Sequence, residues 1–190
     1  KMVRKAALEA LAAMPGDRDI GLICSLLADP ELEVQARAVD LVVKLRHPDT
    51  MKHLVNVLKD ESEFARRSAV EVLNEIAEPS TIKALLMALE DGDWWVRSRA
   101  SDALAKIGGP KVMDAVLQLV GDKNENIRRS ALEILNQTKD ERAVDYLIKA
   151  TRDNDWWVRE RAADAPAEIR SEKAAPALLE MLTGDARSVA

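Results

Sequence analysis

Six carboxylates stand in one register of the sequence, each 31 residues after the last: Glu9, Asp40, Glu71, Asp102, Glu133 and Asp164. Carboxylates can hold a cation, attract a basic ligand or, in close pairs, exchange protons. Equal spacing argues for a row along a surface, since catalytic pairs need side chains that converge. Arginines accompany the row. Arg37, Arg99 and Arg161 each precede an acid of the row by three residues, and Arg67 and Arg129 precede Glu71 and Glu133 by four. At those spacings on a helix, opposite charges meet locally and contribute about 0.2–0.5 kcal/mol per pair. Two readings stay open: a groove for a Lys/Arg-rich ligand, or a solvated zwitterionic face.

A second charged row has Arg66, Arg97, Arg128 and Arg159, each six residues after an aspartate: Asp60, Asp91, Asp122 and Asp153. One reading ties these arginines to the aspartate of their own or the next repeat. The other makes them a stripe for an anionic ligand. Gln35, six residues after Asp29, is a gap in the row.

The string DWWVR occurs at Asp93–Arg97 and at Asp155–Arg159, and it holds all four tryptophans: Trp94, Trp95, Trp156 and Trp157. Phe64 falls in the column of Trp95, which Glu33 and Asn126 break. Aromatics near a surface make good binding anchors. They serve equally as cover for the turn of an adjoining repeat. Adjacent residues on a helix point about 100° apart, so at least one tryptophan of each pair is expected to be partly exposed.

Other chemistry is absent from the pattern. His47 and His53 have no metal-ligand spacing, and Cys24 falls on an apolar stripe as a small core residue. No nucleophile–base set and no phosphate-binding glycine loop is found. The expectation is no enzyme, no metal and no cofactor.

These rows follow from a repeat. Val34, Val96 and Val158 head the same pattern, which runs from Val3 to Val189 with no insertion in a period of 31. Each period reads as two helices. Ile82, Leu85, Leu86 and Leu89 form one apolar stripe, then Asp91-Gly92-Asp93 breaks the helix and Asp93 caps the next. Val96, Ala100, Ala103, Leu104 and Ile107 form the second stripe, closed by Gly108-Gly109-Pro110. A helix pair this small cannot bury its stripes alone, whereas stacked pairs can. The expected fold is an all-α solenoid of about six helix pairs in one array, 1–190. Its parts are a partial repeat 1–14, repeats 15–45, 46–76, 77–107, 108–138 and 139–169, and a partial repeat 170–190. Neither end supplies a polar cap, so a segment of a longer chain is expected.

A slower rhythm lies over the first. Arg37, Arg99 and Arg161 alternate with Ser68 and Ser130, and Asn74 and Asn136 with Ala105 and Ala167. Growth by duplication of a repeat pair accounts for the return of DWWVR after 62 residues. Pro166 stands where Leu73, Leu104 and Leu135 stand, so a kink or early helix end is expected near Ala162–Pro166.

The period, the Val96-Arg97 step and the aspartate six residues before it resemble HEAT-like repeats of the short type, also found in phycobilin lyase subunits. The resemblance covers the whole chain. It implies a right-handed superhelix whose second helices line the concave surface, and it makes the aspartate–arginine rows a structural ladder. It also implies a protein-interaction scaffold, either alone or as a module of a larger bacterial signalling or enzymatic chain. The contact set would be Arg67, Glu71, Trp94, Trp95, Arg99, Asp102, Arg129, Glu133, Trp156, Trp157, Arg161 and Asp164. Alternatives are a phycobilin lyase-like subunit and a nucleic-acid-binding array. Deoxyhypusine hydroxylase resembles the repeat too, but its His-Glu dipeptides are missing here. A net charge of −5 opposes a phosphate-backbone ligand. With one cysteine, no membrane-length apolar run and no signal pattern, a cytoplasmic location is expected.

Overall fold

Where the apolar stripes recur at helical spacing, the chain forms helices, twelve in all among the described residues. The computed structural model describes residues 1–14, 18–169 and 172–185. It divides into two units, Lys1–Ala103 and Leu104–Ala190, with the division inside one helix.

The first unit holds α1 (Met2–Ala13), α2 (Ile20–Ser25), α3 (Leu32–Leu45), α4 (Thr50–Val57), α5 (Glu63–Ile76), α6 (Ile82–Ala88) and most of α7 (Trp94–Ile107). The second helices α1, α3 and α5 stack in one layer, and the first helices α2 and α4 pack together in the other. Leu27, Val34, Leu54, Leu73 and Leu85 are fully buried between the layers, each worth roughly 2 kcal/mol of apolar transfer. The predicted α7 stripe is buried as well, with Val96, Ala100 and Ala103 at 0% exposure. Cys24 sits in this core at 1% exposure, where burial pushes its thiol up to about 11.

In the second unit, the remaining helices are α8 (Gly109–Leu119), α9 (Glu125–Thr138), α10 (Val144–Ala150), α11 (Trp156–Ile169) and α12 (Ala175–Asp185). α9 packs on α8 and α11, and α10 on α11, around Val116, Leu132, Ile134, Leu135 and Leu147. α11 runs through Pro166 to Ile169, so the early helix end expected there is not taken. Asp185 closes α12, and the last part of the partial repeat 170–190, with Val189, lies outside the described residues.

Some helix starts carry the side-chain cap that their residue types favour. Ser62 accepts from the Ala65 N–H and Asn124 from the Asn126 N–H. Second helices end at a positive φ, at Arg46 (φ 44°), Ala77 (φ 41°), Gly108 (φ 56°) and Lys139 (φ 50°). These positions are 31 residues apart, so the period is expressed in the backbone as well as in side chains. Only Gly108 is the residue type that geometry favours.

Candidate functional site

Two of the ladder arginines, Arg66 and Arg128, reach two ways. Arg66 donates through Nη1 to the Asp60 and Glu61 carbonyls of its own turn, fixing the entry to α5. Its other edge grips the Asp91 carboxylate of the next repeat, Nε to Oδ2 at 2.8 Å and Nη2 to Oδ1 at 3.2 Å. In the second unit, Arg128 does the same with the Asp122 and Lys123 carbonyls and with Asp153. Arg97 and Arg159 hold their own turns, on Asp91 and Gly92, and on Asp153 and Asn154. Planar bidentate pairing fixes orientation as well as charge. Gln35 substitutes at the gap. Its Nε2 donates to the Asp29 carbonyl at 2.7 Å, and its Oε1 accepts from the Ser68 hydroxyl at 3.1 Å.

The second set of arginines departs from the local pairing expected of it. Arg67 turns away from Glu71 and donates to Asp93 of the next repeat at 2.5 Å. Arg129 likewise donates to Asp155 of the next repeat at 2.6 Å. Glu71 is taken instead by Arg99 from α7, in a two-pronged bond of 2.8 and 2.9 Å. The physical reason is geometric. A guanidinium on the stacking side of its helix meets a well-shielded carboxylate of the next repeat, Asp93 at 6% and Asp155 at 5% side-chain exposure, whereas an i,i+4 partner lies along its own exposed face. Asp93 and Asp155 also cap their helices, accepting from Trp95 N and Trp157 N. Their arginine bonds hold both carboxyls below the usual aspartate range.

Between these arginines lie the inner tryptophans. The Arg67 and Arg99 guanidinium carbons stand 6.0 and 5.7 Å from the Trp95 ring centre. In the second unit, Arg129 and Arg161 stand 5.9 and 5.6 Å from Trp157. Arg67 also lies 5.7 Å from the Phe64 ring, which extends the first unit's stack by one member. Each contact is worth about 0.5–1 kcal/mol at a partly exposed site. The outer tryptophans take no part in these ring contacts: Trp94 is 67% and Trp156 63% exposed.

The proposed contact residues thus separate by unit and by role. In the first unit, Arg67, Glu71, Trp95 and Arg99 come together, with Asp102 at 3.5 Å from Arg99. In the second, Arg129, Trp157 and Arg161 come together, and Asp164 lies 3.4 Å from Arg161. Glu133 is half-buried on α9. Sequence reading missed Asp93 and Asp155 as arginine partners, Phe64 as part of the stack, and the Gln35–Ser68 link. Trp156 also borders an open cleft of about 710 Å³ between α11 and α12, with Glu160, Ala177 and Met181. Among the described residues, no group of three or more His, Cys, Asp or Glu side chains could hold a metal. No helix among them is long and apolar enough to cross a membrane.

Family comparison matches HEAT repeats over residues 20–105, 51–132, 82–165 and 113–190, windows whose starts step by the same 31 residues. The chain belongs to the HEAT-repeat family. No curated protein matches it. Among solved structures, this HEAT array is similar to a chain of the Kap95p–RanGDP complex, at 18% identity and a TM-score of 0.60. The match covers 85% of this chain and 27% of that one. It is similar to a chain of the CpcE–CpcF phycocyanin lyase complex of Nostoc sp. PCC7120, at 21% identity and a TM-score of 0.55, covering 77% and 96%. A third similar structure is an engineered protein, at 20% identity and a TM-score of 0.50, covering 87% and 85%. At these identities the likeness is one of fold.

Proposed function

We propose that this HEAT array is a non-catalytic cytoplasmic scaffold that binds a protein partner on the second-helix face of its units. That side lines the concave surface in HEAT-like arrays. The observation that carries the reading is the division of labour within DWWVR. Its inner tryptophan is locked between two guanidiniums, while its outer one stands in solvent at 63–67% exposure. A large rigid side chain on a pre-ordered base is what an interface anchor requires, since little conformational freedom remains to be lost on binding. The charged groups around it are engaged with one another, so they supply orientation and little net charge. That engagement also disfavours a nucleic-acid ligand, because Arg66, Arg67, Arg99, Arg128 and Arg129 already spend their N–H edges on carboxylates.

The test is affinity capture on immobilised array, comparing the native chain with Trp94→Ala/Trp156→Ala, followed by calorimetry on any purified partner. Loss of about tenfold or more in affinity supports the reading. Equal affinity moves the contact off the tryptophans. Absence of any partner makes the array a spacer within its own chain.

A further inference from the structure

We propose that Asp91-Gly92 is the chain's site of spontaneous backbone isomerisation, and that Arg66 holds the reaction in check. The inference is independent of the scaffold reading.

The chemistry needs a side-chain carboxyl next to an unhindered amide. The carboxylate first takes up a proton. The Gly92 nitrogen then attacks Cγ of Asp91 and forms a C–N bond, while the amide proton and the carboxyl hydroxyl leave as water. The product is a five-membered succinimide. Water reopens the ring, and cleavage at the Asp91 backbone carbonyl leaves the chain running through the side chain, as isoaspartate of unchanged mass.

A side chain on the following residue crowds that attack, so glycine is the permissive follower. Asp91-Gly92 is the only Asp-Gly step in the sequence, and no Asn-Gly step occurs. The other steps in its register are Asp29-Pro30, Asp60-Glu61, Asp122-Lys123 and Asp153-Asn154. Gly92 is exposed, and a Cβ there would meet no atom within 4 Å. Its φ lies outside the left-handed region, so the turn does not require glycine.

The fold keeps both reacting groups off this path. On the side chain, Oδ2 accepts from Arg66 Nε at 2.8 Å, and Oδ1 from Arg66 Nη2 at 3.2 Å and the Asp93 N–H at 2.8 Å. The two-pronged pairing fixes the orientation of the carboxylate and occupies both oxygens, one of which must leave. On the backbone, Arg97 Nη1 donates to the Asp91 carbonyl at 2.7 Å and the Gly92 carbonyl at 3.0 Å. The peptide unit between them cannot swing toward Cγ without breaking one of these bonds. With the Asp91 side chain only 9% exposed, the reaction has to wait for the junction to open. Once it occurs, Arg66 loses its paired acceptor, and so does the N–H of Asp93, the residue that caps α7.

The test compares five full-length chains held at neutral pH, well below their melting temperatures: native, Arg66→Ala, Arg66→Lys, Arg128→Ala and Arg66→Ala/Gly92→Ala. Isoaspartate at each aspartate is read by peptide mapping with electron-transfer fragmentation. Arg66→Ala should isomerise Asp91 about tenfold faster than native, the change in an opening equilibrium when a charged hydrogen-bond partner is lost. Arg66→Lys keeps the charge without the paired edge and should fall between. Adding Gly92→Ala to Arg66→Ala should remove the product with no loss of melting temperature. Arg128→Ala loosens the matching junction of the second unit and should leave the Asp91 rate native. Isoaspartate arising faster at Asp153 than at Asp91 in the native chain overturns the site. Equal Asp91 rates in native, Arg66→Ala and Arg66→Lys overturn the role of Arg66, as does equal acceleration by Arg128→Ala. Should Arg66→Ala fail to fold, native against Arg66→Lys decides.

Discussion

Asp93 serves two elements with one carboxylate: Oδ1 caps α7 through the Trp95 N–H, and Oδ2 receives Arg67 from the helix before it. Asp155 repeats the arrangement with Trp157 and Arg129. Starting a helix and attaching it to its neighbour are thus a single event at these two positions. The groups that perform it surround the tryptophans on which recognition is proposed to rest.

Acid should loosen these junctions first. The native carboxyls of Asp93 and Asp155 lie below the ordinary aspartate value, with their arginine bonds the largest cause. A depressed native value means that the bond's contribution is complete above the unfolded value, near 3.9. It is lost as pH falls through the native one. Urea titrations from pH 7 downward should show native and Asp93→Asn/Asp155→Asn chains converging in stability as pH falls through the depressed native values. A gap that persists at the acid end would refute the linkage. Asp93→Ala removes the cap as well and costs about a further 1 kcal/mol.

Inner and outer tryptophans should respond oppositely to truncation. Trp95→Ala and Trp157→Ala each remove a ring stacked by two guanidiniums, and should destabilise by about 2–3 kcal/mol. Trp94→Ala and Trp156→Ala should stay within about 0.5 kcal/mol of the native chain. Chemical denaturation followed by circular dichroism separates the four variants.

Ala77 pays a backbone cost that glycine would not. At φ 41°, closing α5 onto the Leu73 carbonyl, it holds a conformation L residues disfavour. Ala77→Gly should raise stability by about 0.5–1 kcal/mol, after allowing for the greater freedom of the unfolded glycine. The same change at Ala69, fully buried with ordinary helical backbone, should lower it. Paired denaturation midpoints decide.

Native Cys24 should resist thiol reagents at neutral pH. Its side chain is 1% exposed and its thiol is held near 11 by burial. Maleimide labelling should appear only with unfolding, and prompt labelling of the folded chain would contradict the core placement.

The repeat was legible because apolar spacing alone fixes it: Val34, Val96 and Val158 already show the period, and all three are buried. So was the ladder, since Arg66 and Asp60 sit six apart on one helix entry. The partner of Arg67 was not, because a helical wheel displays only neighbours on the same helix, and Asp93 is 26 residues away across the stack. A signal did exist. Arg67 and Arg129 precede the acidic caps Asp93 and Asp155 by 26 residues, whereas Ser98 stands 26 before the neutral Asn124. The alternation of repeat pairs thus records charge matched across a junction. No sequence feature marks Arg46, Ala77 and Lys139 as left-handed, since their backbone is imposed by where the next helix must begin.

The ladder has a mechanical corollary. Arg4 to Asp29, Arg66 to Asp91 and Arg128 to Asp153 each join one repeat only to its immediate successor. Within a unit, a pull along the stacking direction passes through such clamps one after another, like load through the links of a chain. Extension then divides among many small tilts, and no single junction must open for the unit to lengthen. A unit clamped this way is expected to be soft in stretch while each link stays intact.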